Sequence, residues 1–503
     1  MQKRILLIYP EMGMSGAYVR HLPLSLLYAA VDSIKVGFAV DIVDTRLSPD
    51  SWQEEIRSRI TPETVLAGVS VITGTPVSSA LKITRWLKQN FPSLPTAWGG
   101  PHASFDPEEI LSEHSVDFVI SGNGSRPLSR LASARARNCD ASGLAEIAGL
   151  TFRKDDGSPV TIPADPCFEY HDFRDIPYHL VEAIMPRYGQ LDRSDRVFSL
   201  YSTLGCPYGC TFCSSPRLYR DIPKKYELIP PNEVADHIEF LVKRYQANYI
   251  YFIDDDSFVD LSQVEEIMDE IERRGLKVKL GFRGARIDEI MRMDDRYLSK
   301  LAGAGTDILH IGAESGSQRV LDLMKKNITV EDIIKVNRKL AGHPEIKAAY
   351  NWLIGLPGET LDELAETRAL VLQLIRDNPG AIMFPPNKYR PLPGTELYAD
   401  AVNHGYSPPK SLEAWGEVEV EGEFTPPWYT PRFAATVNMM QVAAYFIDRK
   451  FFTLSTGSRI KDLLLRALSY LYRPVAIFRY RHGISALLLE HWLYIRYARS
   501  FRH

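Results

Sequence analysis

Three cysteines fall within eight residues: Cys206, Cys210 and Cys213. The C-x3-C-x2-C loop supplies three thiolates. Iron–sulfur and structural zinc sites ordinarily take four protein ligands, so one metal position is left for something other than protein. Zinc would need a fourth Cys or His close by, and the nearest histidines, His179 and His237, lie outside the loop. The spacing suits a [4Fe–4S] cluster with one open iron. A second set of residues is glycine-rich: Ser70-Val71-Ile72-Thr73-Gly74-Thr75, Trp98-Gly99-Gly100-Pro101-His102 and Ser121-Gly122-Asn123-Gly124-Ser125. Glycine lets backbone approach a ligand closely and adopt positive φ. Three such loops suit a large ligand, such as a nucleotide or a tetrapyrrole. They also suit ordinary tight turns.

The elements that must carry these groups form two series. Up to about residue 130, Ile5–Tyr9, Ala39–Val43, Val65–Val71, Pro95–Trp98 and Asp117–Ile120 read as strands alternating with helical patterns such as Leu22–Val36. That alternation predicts an α/β fold with a doubly wound, Rossmann-like parallel sheet. The glycine loops follow its strand ends, where such sheets bind ligands. Residues 131–196 carry Pro and Asp clusters and read as linker and small subdomain. From Val197 a second series begins: Val197–Thr203, Tyr249–Ile253, Val278–Phe282, Asp307–Ile311, Ala348–Ile354 and Ala381–Phe384. Each ends in a polar or glycine-rich group, which predicts a partial six-stranded TIM-like (β/α) barrel with its active site at that face. The predicted division is 1–140, 141–195, 196–400, and a mainly helical basic region over 401–503.

Apolar residues make up 45% and charged residues 24%, the composition of a globular protein of two or three domains. Five cysteines, with Cys139 and Cys167 standing alone, make no disulfide framework and point to a reducing cytoplasm. A net charge of −4 gives no general argument for nucleic acid. No signal peptide or membrane-spanning run is expected.

The cysteine loop resembles that of the radical S-adenosylmethionine (SAM) superfamily. The resemblance implies that SAM fills the open iron position and is cleaved to a 5′-deoxyadenosyl radical, with electrons from a flavodoxin- or ferredoxin-type reductant. Phe212 matches the aromatic position beside the adenine. Asp254, Asp255 and Asp256 stand where many members hold the SAM ammonium, with Asp255 favoured. Arg286 would meet the SAM carboxylate, and Glu314, with Ser315 beside it, the ribose. The N-terminal loops resemble the cobalamin domain of the B12-dependent branch. Ser70, Thr73, Gly74, Gly99, Gly100, His102, Gly122 and Gly124 would line that cofactor. Two departures stand out. The last loop is not Gly-Glu-Gly-Glu, and Pro10–Gly16 carries no Asp-x-His-x-x-Gly, which implies base-off cobalamin without a histidine ligand. His102 is read as touching a cofactor edge or capping a helix.

These cofactors imply C-methylation of a small or lipid-like metabolite. The alternative is cobalamin-dependent oxidative cyclisation or ring rearrangement of the tetrapyrrole-cyclase kind. RNA methylthiolation is disfavoured, because its enzymes carry three further N-terminal cysteines and the first 138 residues here hold none. A non-catalytic corrinoid carrier would not need the cluster loop. From Arg449 to His503, eleven Lys/Arg stand against two acids, interleaved with Leu, Tyr and Phe. That pattern fits a helical cap on the barrel or peripheral contact with a membrane surface.

Overall fold

The computed structural model describes residues 2–13, 21–188, 195–418, 424–448, 459–486 and 491–492. They form two compact units: Met1–Gly189 with Leu218–Lys224 and Pro408–Phe424, and Gln190–Arg217 with Lys225–Ser407 and Thr425–His503.

The first unit is built on seven strands: β1 (Arg4–Tyr9), β2 (Ala39–Asp44), β3 (Thr64–Ser70), β4 (Thr96–Gly99), β5 (Phe118–Ile120), β6 (Leu150–Arg153) and β7 (Pro159–Thr161). Their order is β2-β1-β3-β4-β5-β6-β7. The first five are parallel, and Ile5–Ile8 is buried throughout, as both faces of such a sheet demand. Parallel pairing brings the ends of β3, β4 and β5 to one edge, and with them the three glycine loops. Residues 150–161 fall in the stretch read as linker and small subdomain. They add β6 and β7 antiparallel to β5. Gly149 turns the chain back at φ +80°, where a Cβ would stand 2.6 Å from the Ser121 carbonyl. Strands of three or four residues, half of them polar, leave no periodicity to read.

The 401–503 region also departs from expectation, since helix Leu412–Gly416 belongs to the first unit. Trp415 is 4% exposed, and its indole N–H reaches the Glu109 carboxylate at 3.1 Å.

The second unit holds β8 (Val197–Leu200), the antiparallel pair β9 (Thr203–Gly205) and β10 (Tyr226–Leu228), then β11 (Tyr249–Phe252), β12 (Lys279–Ala285), β13 (Thr306–Glu314), β14 (Lys347–Ile354), β15 (Ile382–Met383) and β16 (Asn387–Lys388). The sheet runs β15-β14-β13-β12-β11-β8, all parallel and in chain order, with β16 on β14. This is the partial barrel expected from the alternating pattern. Amphipathic helices such as Leu261–Arg273 and Val330–Ala341 bury one face each.

Helix Arg459–His482 packs on Pro431–Ile447 and buries Ala476 and Tyr480. It exposes Leu463, Tyr470, Leu471, Val475 and Phe478. The rest of the basic segment, 449–458, 487–490 and 493–503, lies outside the described residues. Among the described residues no helix is long and apolar enough to cross a membrane.

Candidate active site

The cysteine loop leaves β9 at Gly205 and is fastened from below. Thr211 donates its N–H to the Met324 carbonyl at 3.2 Å and its hydroxyl to Leu323 at 2.9 Å. Arg286 reaches up from the end of β12. Its guanidinium lies 3.7 Å over the Tyr208 ring and donates to Cys210 Sγ at 3.5 Å, Asp288 at 2.9 Å and the Lys326 carbonyl at 2.7 Å. Burial opposes its charge, but Asp288 and Cys210 outweigh that and hold it firmly protonated. Tyr208 in turn donates to Glu289 at 2.7 Å. The Ser215 N–H faces Cys213 Sγ at 3.5 Å.

All five cysteines are free. Burial pushes the Cys206 thiol up to about 12 and raises Cys213 too, so these two stay thiols in the metal-free loop and metal loading releases their protons. A single tetrahedral zinc would draw three sulfurs to about 3.8 Å of one another. The three sulfurs are not gathered within 4.8 Å. Three sulfurs on one short loop, with the Arg286 cation beside one of them, fit an iron–sulfur group.

The three aspartates after β11 separate cleanly. Asp254 is fully buried. Its Oδ1 accepts from the Ser202 N–H at 2.8 Å and the Thr203 N–H at 3.1 Å, and its Oδ2 from the Ser202 and Ser257 hydroxyls at 2.6 and 2.8 Å. Burial still raises it to about 6. Asp256 is buried and caps Phe258 N–H at 3.2 Å; burial first, then Glu289, pushes its carboxyl well up. Asp255 alone is exposed, and it accepts from Ser215 at 3.2 Å, two residues past Cys213.

Glu314 ends β13 at φ +62°, a strained backbone for a non-glycine residue, and pairs with buried Lys326 at 3.1 Å. Ser315 is not brought to this side; it is fully buried, accepts from the Ser317 N–H at 3.1 Å and lies 3.3 Å from the Thr367 hydroxyl. Phe212 is half-buried.

In the first unit, Ser70 ends β3, and Gly74 opens helix Thr75–Asn90 with φ +108°. Gly99 ends β4, and Gly100, at φ +100°, lies against Val71. Thr73 Oγ1 and His102 Nδ1 are 3.0 Å apart. His102 is buried, which pulls it down to about 4 and keeps it neutral. Its Nε2 is a buried atom with no partner among the described residues, as at a site completed by a bound group. Trp415 packs edge-on against the ring at 5.8 Å. The third loop is partly covered by its own unit: Gly122 meets Ala164, Asn123 donates to the Cys167 carbonyl at 2.7 Å, and Gly124 caps helix Ser125–Ala136.

Comparison with known proteins agrees with this geometry. Residues 200–371 match the Radical SAM superfamily, and residues 15–132 match the B12 binding domain. This chain belongs to the radical SAM superfamily and carries a B12-binding domain. It is 26% identical over 408 residues to the anaerobic magnesium-protoporphyrin IX monomethyl ester cyclase of Rubrivivax gelatinosus, covering 79% of this chain and 70% of that one. It is 23% identical over 470 residues to the cytidylyl-2-hydroxyethylphosphonate methyltransferase of Streptomyces wedmorensis, covering 81% and 83%. The structure of the radical SAM methyltransferase TsrM from Kitasatospora setae, solved with cobalamin and a [4Fe–4S] cluster, superposes with a TM-score of 0.67 at 16% identity over 96% of this chain and all of that one. The cofactors of this radical SAM enzyme are therefore a [4Fe–4S] cluster, SAM and cobalamin.

Several residues that hold this radical SAM site together carry no sequence signature. Lys326, Tyr208, Glu289 and Ser202 act through contacts 12 to 81 residues apart in sequence, so no local spacing marks them. Trp415 is the counterpart in the B12-binding unit.

Proposed function

We propose that this enzyme methylates an unactivated carbon of a small or lipid-like molecule. When bound, the cluster and SAM supply a carbon-centred radical and cobalamin supplies a methyl group. The observation that carries the reading is the exposure of the Asp255 carboxylate at the cysteine loop. Asp255 is exposed beside Ser215, while Asp254 and Asp256 are turned into the protein. Asp255 takes the SAM ammonium by a charge-assisted hydrogen bond. Arg286 steadies the loop through Cys210 and Tyr208 rather than reaching outward. Glu314, fixed by Lys326, faces the ribose. His102, held neutral, meets the corrin edge and does not ligate cobalt.

Relatives named as methyltransferases support methyl transfer. The cyclase relative supports oxidative cyclisation as the second reading. Anaerobic reconstitution with iron, sulfide, cobalamin, SAM and a chemical reductant separates them once substrate is present. S-adenosylhomocysteine and 5′-deoxyadenosine together mean methylation. Deoxyadenosine alone means cyclisation or rearrangement. SAM cleavage by Cys210→Ala would sink the site assignment.

The physiological reductant is proposed to be a flavodoxin or ferredoxin in the cytoplasm. The apolar stripe of helix Arg459–His482 lies in a segment with nine net positive charges, from eleven basic residues less two acids, which supports contact with an anionic membrane surface. Co-flotation of the full chain with phosphatidylserine vesicles, lost in Leu471→Glu/Phe478→Glu, is the expected result. Flotation unaffected by the double substitution removes the idea.

A further inference from the structure

The inner face of the partial barrel carries a band of side chains with no part in the site above. Side chains alternate along a strand. On β11, Ile250 and Phe252 are buried on the helix side, so Tyr249 and Tyr251 point inward. On β12, Leu280 and Phe282 face the helices, and Phe282 stacks on Phe252 at 4.7 Å. Gly281 and Arg283 therefore face inward. On β13, Leu309 and Ile311 are buried outward and His310 points in.

Tyr251 and His310 sit on strands separated by β12, yet their rings meet edge to face at 5.8 Å. Gly281 permits this. A Cβ there would stand 2.7 Å from the Tyr251 ring and 2.8 Å from the Tyr249 hydroxyl. His310 also stacks on Phe384 at 5.3 Å, across β14, where its paired residue is Ala349. Small residues on alternate strands thus let three rings form one continuous floor.

Arg283 stands in this band, exposed, with no hydrogen bond or ion pair among the described residues. The two rings beside it carry no charge. Burial, then Arg283 itself, pushes His310 down to about 4, so the ring is neutral. Burial raises Tyr251 to about 12 against the pull of Arg283. On an outer surface, water and salt would satisfy such a cation. On the concave side of a barrel, near the strand ends where chemistry is done, an unpaired guanidinium is a ready receptor. Its planar fork matches a carboxylate or a phosphate.

We propose that Arg283 binds an anionic group of the substrate, carboxylate or phosphate, whose apolar body lies on the Tyr251–His310–Phe384 floor. This deepens the function proposed above and rests on reading the barrel interior as the substrate site.

The test uses the full-length, anaerobically reconstituted protein. It is titrated calorimetrically with 2-naphthoate, 2-naphthyl phosphate and the neutral 2-naphthamide. At least one acid is expected to bind about tenfold or more tighter than the amide, the value of one charge-assisted bond. The better acid identifies the group. Arg283→Gln erases the preference and Arg283→Lys keeps part of it. Arg296→Gln removes the same charge from an exposed helical arginine paired with Glu265, and keeps the preference whole. Equal affinity for acids and amide overturns the proposal, as does an unchanged preference in Arg283→Gln. So does failure of both acids to bind at their solubility limit. Loss of SAM affinity in Arg283→Gln, read by equilibrium dialysis, would assign the cation to the SAM carboxylate and also overturn it. Failure of the wild-type protein to form 5′-deoxyadenosine counts against the proposed function instead and leaves the titration readable.

Discussion

Replacing Asp254 by Asn and by Ala should have opposite consequences. In the native turn, one carboxylate oxygen takes two backbone N–H groups and the other takes two hydroxyls. An Asn can keep all four bonds. Its carbonyl accepts from the Ser202 and Thr203 N–H groups, and its amide donates to hydroxyls that can rotate to accept. It also removes a buried charge. Burial raises the Asp254 carboxyl from 3.8 to about 6, a shift worth about 3 kcal/mol. The folded pKa lies above the unfolded one, so folding favours the protonated form. The protein holds this stability below about pH 4 and loses it as pH rises through about 6. Asp254→Asn does not suffer that loss. Its melting temperature relative to wild type should therefore climb across that window and level off near neutrality, by roughly 5 °C. Asp254→Ala leaves two buried N–H groups without acceptors, which costs about 2–6 kcal/mol at every pH. The assay is paired thermal melts of all three proteins from acid to neutral pH, with iron content measured on each. If Asp254→Asn melts as low as Asp254→Ala near neutrality, the charge itself is needed, and the division of labour among the three aspartates is wrong.

Asp255→Asn should weaken SAM binding about tenfold or more in equilibrium dialysis while leaving iron content unchanged. Arg286→Lys keeps the charge but cannot stack on Tyr208 and span Asp288, Cys210 and Lys326 at once; iron and sulfide per chain should fall after reconstitution. Glu359 is buried under the Gly355 turn, which raises it to about 7. Its penalty grows as pH rises from 4.5 through 7, by about 3 kcal/mol, so Glu359→Gln should flatten the stability profile there in pH-dependent melts. Trp415→Ala should destabilise the first unit by about 3–5 kcal/mol, read in denaturant melts as an earlier first transition.

The parts legible in the sequence share one property: their information is local. Cys206, Cys210 and Cys213 declare a metal by spacing alone. The parallel strands β8 and β11 to β15 declare themselves by apolar runs that end in glycine or charge, whereas the antiparallel pair β9 and β10 does not. Residue type does not say which way a side chain turns at the end of a strand. Asp254, Asp255 and Asp256 are chemically identical, and only the partners supplied by Ser202, Ser215 and Phe258 tell them apart. β6 and β7 are too short and too polar to show a period. Helix Leu412–Gly416 is five residues long, and its place is decided by Trp415 meeting His102 some 300 positions earlier in the chain.

That short helix has a bearing on synthesis. A ribosome completes β1 to β7 long before it reaches residue 412. Until then His102 and the start of helix Thr75–Asn90 lack the cover of Trp415 and Gly416. The B12-binding unit cannot finish folding co-translationally as an independent N-terminal domain; its last piece arrives when four-fifths of the chain has been made. A fragment cut after residue 189 would expose that face, and nascent chains stalled before residue 412 would show it to chaperones.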